Sequence, residues 1–311
     1  MTDTPPPRTT APTRCGVVAV LGAPNAGKST LVNALVGQKV AITSAKAQTT
    51  RARMLGIALH ELGGTPTQMI LVDTPGIFAP KRRLDRAMVS AAWEGAEAAD
   101  AVLLMVDPIK QRRHELEPLL ETLAGRPERK ILVLNKVDRA KKEPLLVLAQ
   151  ELTGKVDFAE VFFVSALTGE GVPELKDNLA RLMPEGEWMY PEDQVSDASE
   201  RLLAAEITRE QLYQQLHEEL PYDSAVRPEK YEVRPDGSVE IHQQIVVTRD
   251  NQRAIVLGKG GSKIKAIGAA ARSELMEVLG VKVHLFLHVK VLENWAEDRE
   301  IFDEIGLDWV R

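Results

Sequence analysis

Gly22-Ala23-Pro24-Asn25-Ala26-Gly27-Lys28-Ser29-Thr30 fits the spacing G-x-x-x-x-G-K-[ST], a loop that wraps nucleotide phosphates. Residues 17–21 before it are an apolar-leaning run that reads as a strand. Leu31, Leu35 and Val36 behind it fall at helical spacing. Strand, loop and helix in that order are the context the motif requires. Glycines let backbone N–H groups converge on the phosphates, and the helix N-terminus adds its dipole. Lys28 is placed to reach the β- and γ-phosphates as a point charge, and the Ser29 hydroxyl to ligate Mg²⁺. The bland alternative is a chance glycine-rich turn, and the rest of the chain argues against it.

Asp73-Thr74-Pro75-Gly76 closes a second apolar run, Met69-Ile70-Leu71-Val72. A carboxylate at a strand end can stand behind a magnesium ion, and the Gly76 N–H can sense a γ-phosphate; the alternative is a plain Pro-Gly turn. Asn135-Lys136-Val137-Asp138 follows the apolar run 130–134 and reads as the base-recognition element. An Asp138 carboxylate accepts from the ring N–H and the exocyclic amine of guanine, and adenine offers neither donor. A polar group left unpaired against the wrong base costs roughly 1–3 kcal/mol. The stem of Lys136 can cover the base plane. Ser165-Ala166 closes the next strand and offers a backbone N–H to the base, a reading that rests only on its order in the chain. Between the phosphate loop and Asp73 lies Ala45-Lys46-Ala47-Gln48-Thr49-Thr50-Arg51, polar and without an apolar stripe, which reads as a mobile loop. A threonine there closes the magnesium shell when a γ-phosphate is present; Thr50 is preferred over Thr49.

Further along, Gly258-Lys259-Gly260-Gly261 sits between Ile255-Val256-Leu257 and a helical run over 262–279. This matches the GxxG loop of a KH domain, which clamps a single-stranded nucleic-acid backbone. Glycine lets the chain approach phosphates without a Cβ, and the helix that follows adds its dipole. Arg249, Arg253, Lys259, Lys263, Lys265 and Arg272 surround the loop, with only Asp250 opposing them. Ile255, Val256, Leu257, Ile264 and Ile267 are the candidates for an apolar base groove, some of them necessarily core.

The ordered set of phosphate loop, switch threonine, D-T-P-G, N-K-V-D and S-A within residues 17–166 resembles the translation-factor-related GTPases. With the GxxG loop, and with Gln48-Thr49-Thr50-Arg51 and Glu219-Leu220-Pro221-Tyr222, the chain looks like the Era family of bacterial ribosome-assembly GTPases over roughly 15–292. The resemblance implies hydrolysis of GTP to GDP and phosphate, with Mg²⁺ held by Ser29, Thr50 and Asp73, and Lys28, Thr50 and Gly76 acting at the reacting phosphate. The partners it implies are a single-stranded segment near the 3′ end of 16S rRNA and the 30S subunit. A cytoplasmic monomer is expected; the resemblance also implies peripheral contact with the inner face of the membrane, for which the sequence offers no amphipathic anchor. Asparagine at the Asn25 position in related GTPases can bind K⁺, so Asn25 is a candidate K⁺ ligand, the alternative being a turn-favouring Asn. The residue after Gly76 is Ile77, an aliphatic side chain that cannot orient water, so slow turnover without a partner is expected. Arg82 and Arg83 could reach the phosphates but read as charged loop residues. An RNA-binding adaptor with a structural or very slow nucleotide site is the alternative, against which Lys28, Ser29, Asp73 and Asp138 all argue. A tRNA-modification GTPase would end in a catalytic cysteine, and the one cysteine here is Cys15.

At 311 residues two domains are expected. The lone Cys15 cannot form an intrachain disulfide, which fits a reducing compartment. No apolar run approaches the roughly 18 residues needed to cross a membrane. Net charge is −6, unusual for an RNA binder. The local field matters more, since screening acts over about 8–10 Å: a basic face around the GxxG loop coexists with an acidic segment after residue 293.

The expected fold is an α/β P-loop GTPase domain with a doubly wound, mostly parallel sheet, followed by an α+β type II KH domain. Strands are expected at 17–21, 53–61, 68–73, 101–107, 130–135 and 159–165, with Gly63-Gly64 turning the second into the third. Helices are expected near 30–36, 84–98, 111–124, 144–152 and 172–183. The division is a disordered tail over 1–14, the GTPase domain over 15–183, a linker over 184–197, the KH domain over 198–292 and an acidic tail over 293–311. In the KH domain a helix to about 220, strands near 224–234 and 238–248, two helices around the GxxG loop and a strand over 281–292 are expected. His284 and His288 in that strand lie about 13 Å apart and cannot chelate one ion unaided.

Overall fold

The computed structural model describes residues 12–44, 46, 49–80, 82–97, 99–110, 113–216 and 220–310. Outside them lie most of the N-terminal tail, Ala45, Ala47, Gln48, Lys81, the starts or ends of three expected helices (Ala98, Gln111, Arg112 and 217–219) and Arg311.

The first sheet runs β2-β3-β1-β4-β5-β6, from β1 (Arg14–Gly22), β2 (Met54–Leu62), β3 (Thr65–Asp73), β4 (Ala101–Val106), β5 (Arg129–Leu134) and β6 (Glu160–Phe163). All neighbours are parallel except β2 and β3, whose hairpin pairs residues as far as Leu62↔Thr65 across the Gly63-Gly64 turn. That two-residue turn carries both strands closer to the glycines than the sequence suggested. Alternate residues of each strand face opposite layers. Val18, Val20, Leu103, Met105, Ile131 and Val133 pack against α1 (Lys28–Val36) and α5 (Val172–Leu182). Ala19, Leu21, Leu104, Leu132 and Leu134 pack against α3 (Arg113–Ala124) and α4 (Lys142–Thr153). Helices on both faces explain why the central strands are apolar throughout rather than alternating. Ends of β1, β3 and β5 gather at one edge of the sheet, where the phosphate loop, Asp73 and Asn135 lie.

Residues 184–197, expected as a linker, are strapped to the first domain. Cys15 N–H donates to Pro184 O at 3.1 Å, Ile57 N–H to Val195 O at 2.8 Å, and Gln68 Nε2 to Tyr190 O at 2.8 Å.

The second sheet is β7-β8-β9, from β7 (Ser224–Val233), β8 (Val239–Val247) and β9 (Val283–Val291); β7 and β8 are antiparallel, β8 and β9 parallel. Its inward face packs against α6 (Glu200–Gln215), α7 (Asp250–Leu257) and α8 (Ser262–Leu279). Ser199 caps α6 by accepting from Leu202 N–H at 3.3 Å, the usual service of a serine at that position. Val256 and Ile267 are fully buried in this core, so of the expected groove residues they belong to packing, while Ile255 is exposed.

Residues 293–311 are not a free acidic tail. They contain a 3₁₀ turn, Trp295–Glu297, and α9 (Arg299–Glu304). Trp295, Ile301, Phe302, Ile305 and Leu307 bury their side chains against Leu84, Ala87 and Met88 of α2 (Arg83–Glu97) and against Ala225 and Val246 of the second sheet. The acids decorate the outer side of an amphipathic segment that joins the two domains. Among the described residues no helix is long and apolar enough to cross a membrane.

Candidate nucleotide site and nucleic-acid interface

The Asn135 side chain braces the phosphate loop. Asn135 Nδ2 donates to Ala26 O at 2.8 Å, and its Oδ1 accepts the Ala166 N–H at 3.0 Å. A Cβ on Gly27 would stand 2.2 Å from Asn135 Nδ2, and its φ of 101° also excludes an ordinary side chain. Asn135 therefore ties three loops together and does not point both its polar atoms at a base. The Ala166 N–H, expected to serve the base, is spent on Asn135. Ser165 Oγ closes its own loop by accepting Thr168 N–H at 3.2 Å.

Asn25 and Lys136 are the non-glycine residues with positive φ among the described residues, both at 63°. They touch: Lys136 Nζ donates to Asn25 O at 2.8 Å and to Asp107 Oδ2 at 2.7 Å. Asparagine tolerates the left-handed region, and lysine is held there by these bonds. The pair fixes the Lys136 side chain against the phosphate loop, and Asp138, two residues on, is exposed. Thr74 does not face the pocket; its hydroxyl is buried and donates to Val20 O at 2.7 Å, anchoring the end of β3.

Three oxygens meet beside the loop. Ser29 Oγ lies 2.7 Å from Asp73 Oδ2 and 2.8 Å from Thr50 Oγ1, and Thr50 Oγ1 lies 3.3 Å from the same carboxylate oxygen. The Thr49 hydroxyl is engaged elsewhere, donating to Lys46 O at 2.9 Å. Asp73 is fully buried and its Oδ1 has no hydrogen-bond partner. Burial pushes this carboxyl up to about 6, against the opposing pull of the Ser29 bond and the Lys28 charge. Lys28 Nζ donates to Gly22 O at 3.2 Å and Ala23 O at 3.1 Å, and burial lowers its ammonium to about 8. Two hydroxyls and a buried, half-satisfied carboxylate next to a lysine form an all-oxygen set that fits a small hard dication such as Mg²⁺. Pro24, Asn25, Gly27, Lys28, Ser29, Thr30, Thr49, Thr50 and Gly76 line one pocket with Ile42, Thr43 and Ser44.

Switch residues lead directly into the second domain. Ile42 is buried among Ala204, Ile207 and Leu275. Lys39 pairs with Glu210 of α6 and Glu274 of α8, and Thr43 N–H donates to Glu210 Oε1 at 3.0 Å. Arg82 and Arg83 bind Asp223 at 2.7 Å and Glu297 at 2.9 Å, so both serve the domain interface in this structure.

At the second site, α7 and α8 meet through Gly258-Lys259-Gly260-Gly261, where all three glycines have positive φ. A Cβ on Gly258 would come within 2.9 Å of Lys263 N, so the two helices close only around glycine. Arg249, Arg253, Ile255, Lys259, Gly260 and Lys265 are exposed around the loop, with Gly261 and Lys263 half-buried.

Residues 17–136 match a family described as 50S ribosome-binding GTPase, and residues 219–296 match a KH domain. The chain is 83% identical to GTPase Era of Erythrobacter litoralis over 298 residues, covering 96% of this chain and 98% of that one. It is 55% identical to GTPase Era of Bradyrhizobium diazoefficiens, covering 96% of each. Among solved structures, an Era variant of Aquifex aeolicus bound to GDP·AlF₄⁻ superposes with a TM-score of 0.88 at 37% identity, covering 94% of this chain and 99% of that one. An Era in complex with MgGDPNP and nucleotides 1506–1542 of 16S ribosomal RNA gives the same score, identity and coverage.

Proposed function

The chain belongs to the Era family of GTPases, and from that premise we propose that it is a GTP-hydrolysing switch that binds the 3′ region of 16S rRNA through its KH domain during assembly of the 30S subunit. The observation that carries the enzymatic half is the meeting of Ser29, Thr50 and Asp73 beside the phosphate loop. Ser29 and Thr50 would hold the metal with Asp73 behind them. When bound, Mg²⁺ neutralises charge on the β- and γ-phosphates. Backbone N–H groups from Gly22 to Thr30 orient the phosphates. Lys28 turns from the Gly22 and Ala23 carbonyls onto the phosphate oxygens, and the Gly76 N–H reads the γ-phosphate. Asp138 selects guanine, Lys136 covers it, and Asn135, Ser165 and Ala166 set the shape of its loops. Ile77 cannot orient the attacking water, so backbone or a bound partner must do so, and intrinsic turnover is slow.

At the KH domain the exposed basic residues Arg249, Arg253, Lys259 and Lys265, with Lys263, meet the RNA backbone across the glycine loop, and Ile255 offers an apolar surface to a base. The cytoplasm is the compartment this reading implies. Peripheral membrane contact draws no support from the described residues.

The test is GTP turnover by the full chain in KCl, with and without a short single-stranded RNA from the 3′ end of 16S rRNA. RNA is expected to raise turnover, and Gly260→Asp, which sets a charge and a Cβ against the phosphates, to abolish the increase. Turnover indifferent to bound RNA would mean that the domains work in parallel; absence of turnover would leave the adaptor reading. Equal rates in KCl and NaCl would remove the K⁺ role from Asn25 and leave it a left-handed turn residue.

A further inference from the structure

Thr50 links the switch loop to the metal site, and the residues on both sides of it are held by the second domain, Thr49 by its carbonyl and Arg51 by its side chain. On one side Arg209 of α6, 2% exposed, donates through Nη2 to Thr49 O. Its Nε donates to Glu206 Oε1 at 2.8 Å, which fixes the plane of the guanidinium. On the other side Arg51, 3% exposed, runs into the turn before β7. Its Nη1 donates to Ser224 O at 2.6 Å, and its Nη2 to Pro221 O at 3.2 Å and Tyr222 O at 3.1 Å. Three carbonyls around one guanidinium match the planar fork of arginine and not the single ammonium of lysine. Burying two such cations is costly, and interface adhesion alone could be supplied by apolar residues such as Ile42. What the two arginines supply beyond adhesion is a fixed main chain on each side of the hydroxyl that meets Ser29 and Asp73.

We propose that Arg51 and Arg209 are positioning residues of the nucleotide site, setting the magnesium-facing hydroxyl of Thr50 from the second domain. The proposal rests on the reading of Thr50 as a metal ligand. It makes the second domain part of the metal site by holding the chain on each side of Thr50, without placing one of its side chains on the nucleotide.

The experiment uses the full chain and measures equilibrium binding of a fluorescent non-hydrolysable GTP analogue, and separately of GDP, as Mg²⁺ is titrated. Arg209→Lys and Arg51→Lys keep the charge and lose the fork. Each is expected to raise the Mg²⁺ concentration needed for half-maximal analogue binding about tenfold or more, the usual cost of removing an outer-shell support. GDP binding is expected to stay within about twofold, because Thr50 closes on the metal only with a γ-phosphate. In a Thr50→Ala background the same substitutions are expected to add nothing, since the residue they act through is gone. Variants that lower thermal stability but leave the analogue's Mg²⁺ curve in place, or that act equally with Thr50→Ala, would overturn the proposal and leave Thr50 as the ligand. A Thr50→Ala variant that itself leaves the Mg²⁺ curve unmoved would instead overturn the reading of Thr50. Should one arginine variant fail to fold, the other tests the opposite side of the same residue.

Discussion

Asp73 shows what the site costs the protein without its ion. The carboxyl is fully buried, and burial raises it from 3.8 to about 6 despite Ser29, Lys28 and Thr50. The folded chain therefore holds this proton more tightly than the unfolded chain. The resulting stabilisation is full below pH 3.8 and is lost as pH rises through about 6. In EDTA, Asp73→Asn should be more stable than the parent above that range by about 1–3 kcal/mol. The advantage should fade towards about pH 4.5, where the parent carboxyl is protonated. Urea denaturation of both proteins at the two ends of the range measures it; a difference independent of pH would show that the carboxylate is not paying for its burial. Lys28, Ser29, Asp73 and Asp138 could be named from the chain because each belongs to a short motif whose geometry is local. Arg209 and Arg51 could not, because the groups they hold across the domain boundary are 160 to 173 residues away and nothing near them in sequence marks the contact. Thr50 and Thr49 are chemically equal neighbours, and only the fold decides which hydroxyl turns inward.

The segment after residue 293 is legible as a helix only once its acids are set aside. Seven carboxylates from Glu293 onward draw the reading towards a solvated tail, yet Trp295, Ile301, Phe302 and Ile305 recur at spacings that place them on one side. Both strands of information are present; a short helix gives too few turns for the apolar stripe to outweigh the charge count. By contrast α8 keeps the expected span 262–279, and left-handed glycines stand at both its caps, Gly261 and Gly280. Phe302 is fully buried, edge-on to Trp309 with ring centroids 4.9 Å apart, and packs in the cluster shared with α2. Phe302→Ala should cost about 3–5 kcal/mol of stability, as large-to-small changes in a closed core do. The loss should appear as increased hydrogen exchange at both α2 and β7, because the cluster spans both. Exchange confined to residues after 293 would mean that α9 rides on the interface without joining it.

At the scale of the whole molecule, ion pairs join the start of the switch loop to two helices of the second domain. The switch loop starts at Lys39, which pairs with Glu210 on α6 and Glu274 on α8; α8 begins at the GxxG loop. A shift of the switch loop with the γ-phosphate would therefore pull on the helix that leads out of the glycine loop. If the elements move as a unit, a GTP analogue and RNA must each strengthen the other by the same factor, and such couplings typically lie between about 5- and 150-fold. Glu274→Gln removes one charge of the triad while Glu210, only 2% exposed at its side chain, keeps Lys39. It should leave each ligand alone bound within about threefold, since Glu274 lies outside both sites, and reduce the mutual factor severalfold. Removing Lys39 instead would strand Glu210 as an unpaired buried carboxylate and confound coupling with destabilisation. The measurement is a four-corner set of dissociation constants, for analogue with and without RNA and for RNA with and without analogue, in parent and variant. A mutual factor unchanged by Glu274→Gln would remove the ion triad from the route and leave the buried contacts of Ile42 and the Arg51 cage as the connection that remains.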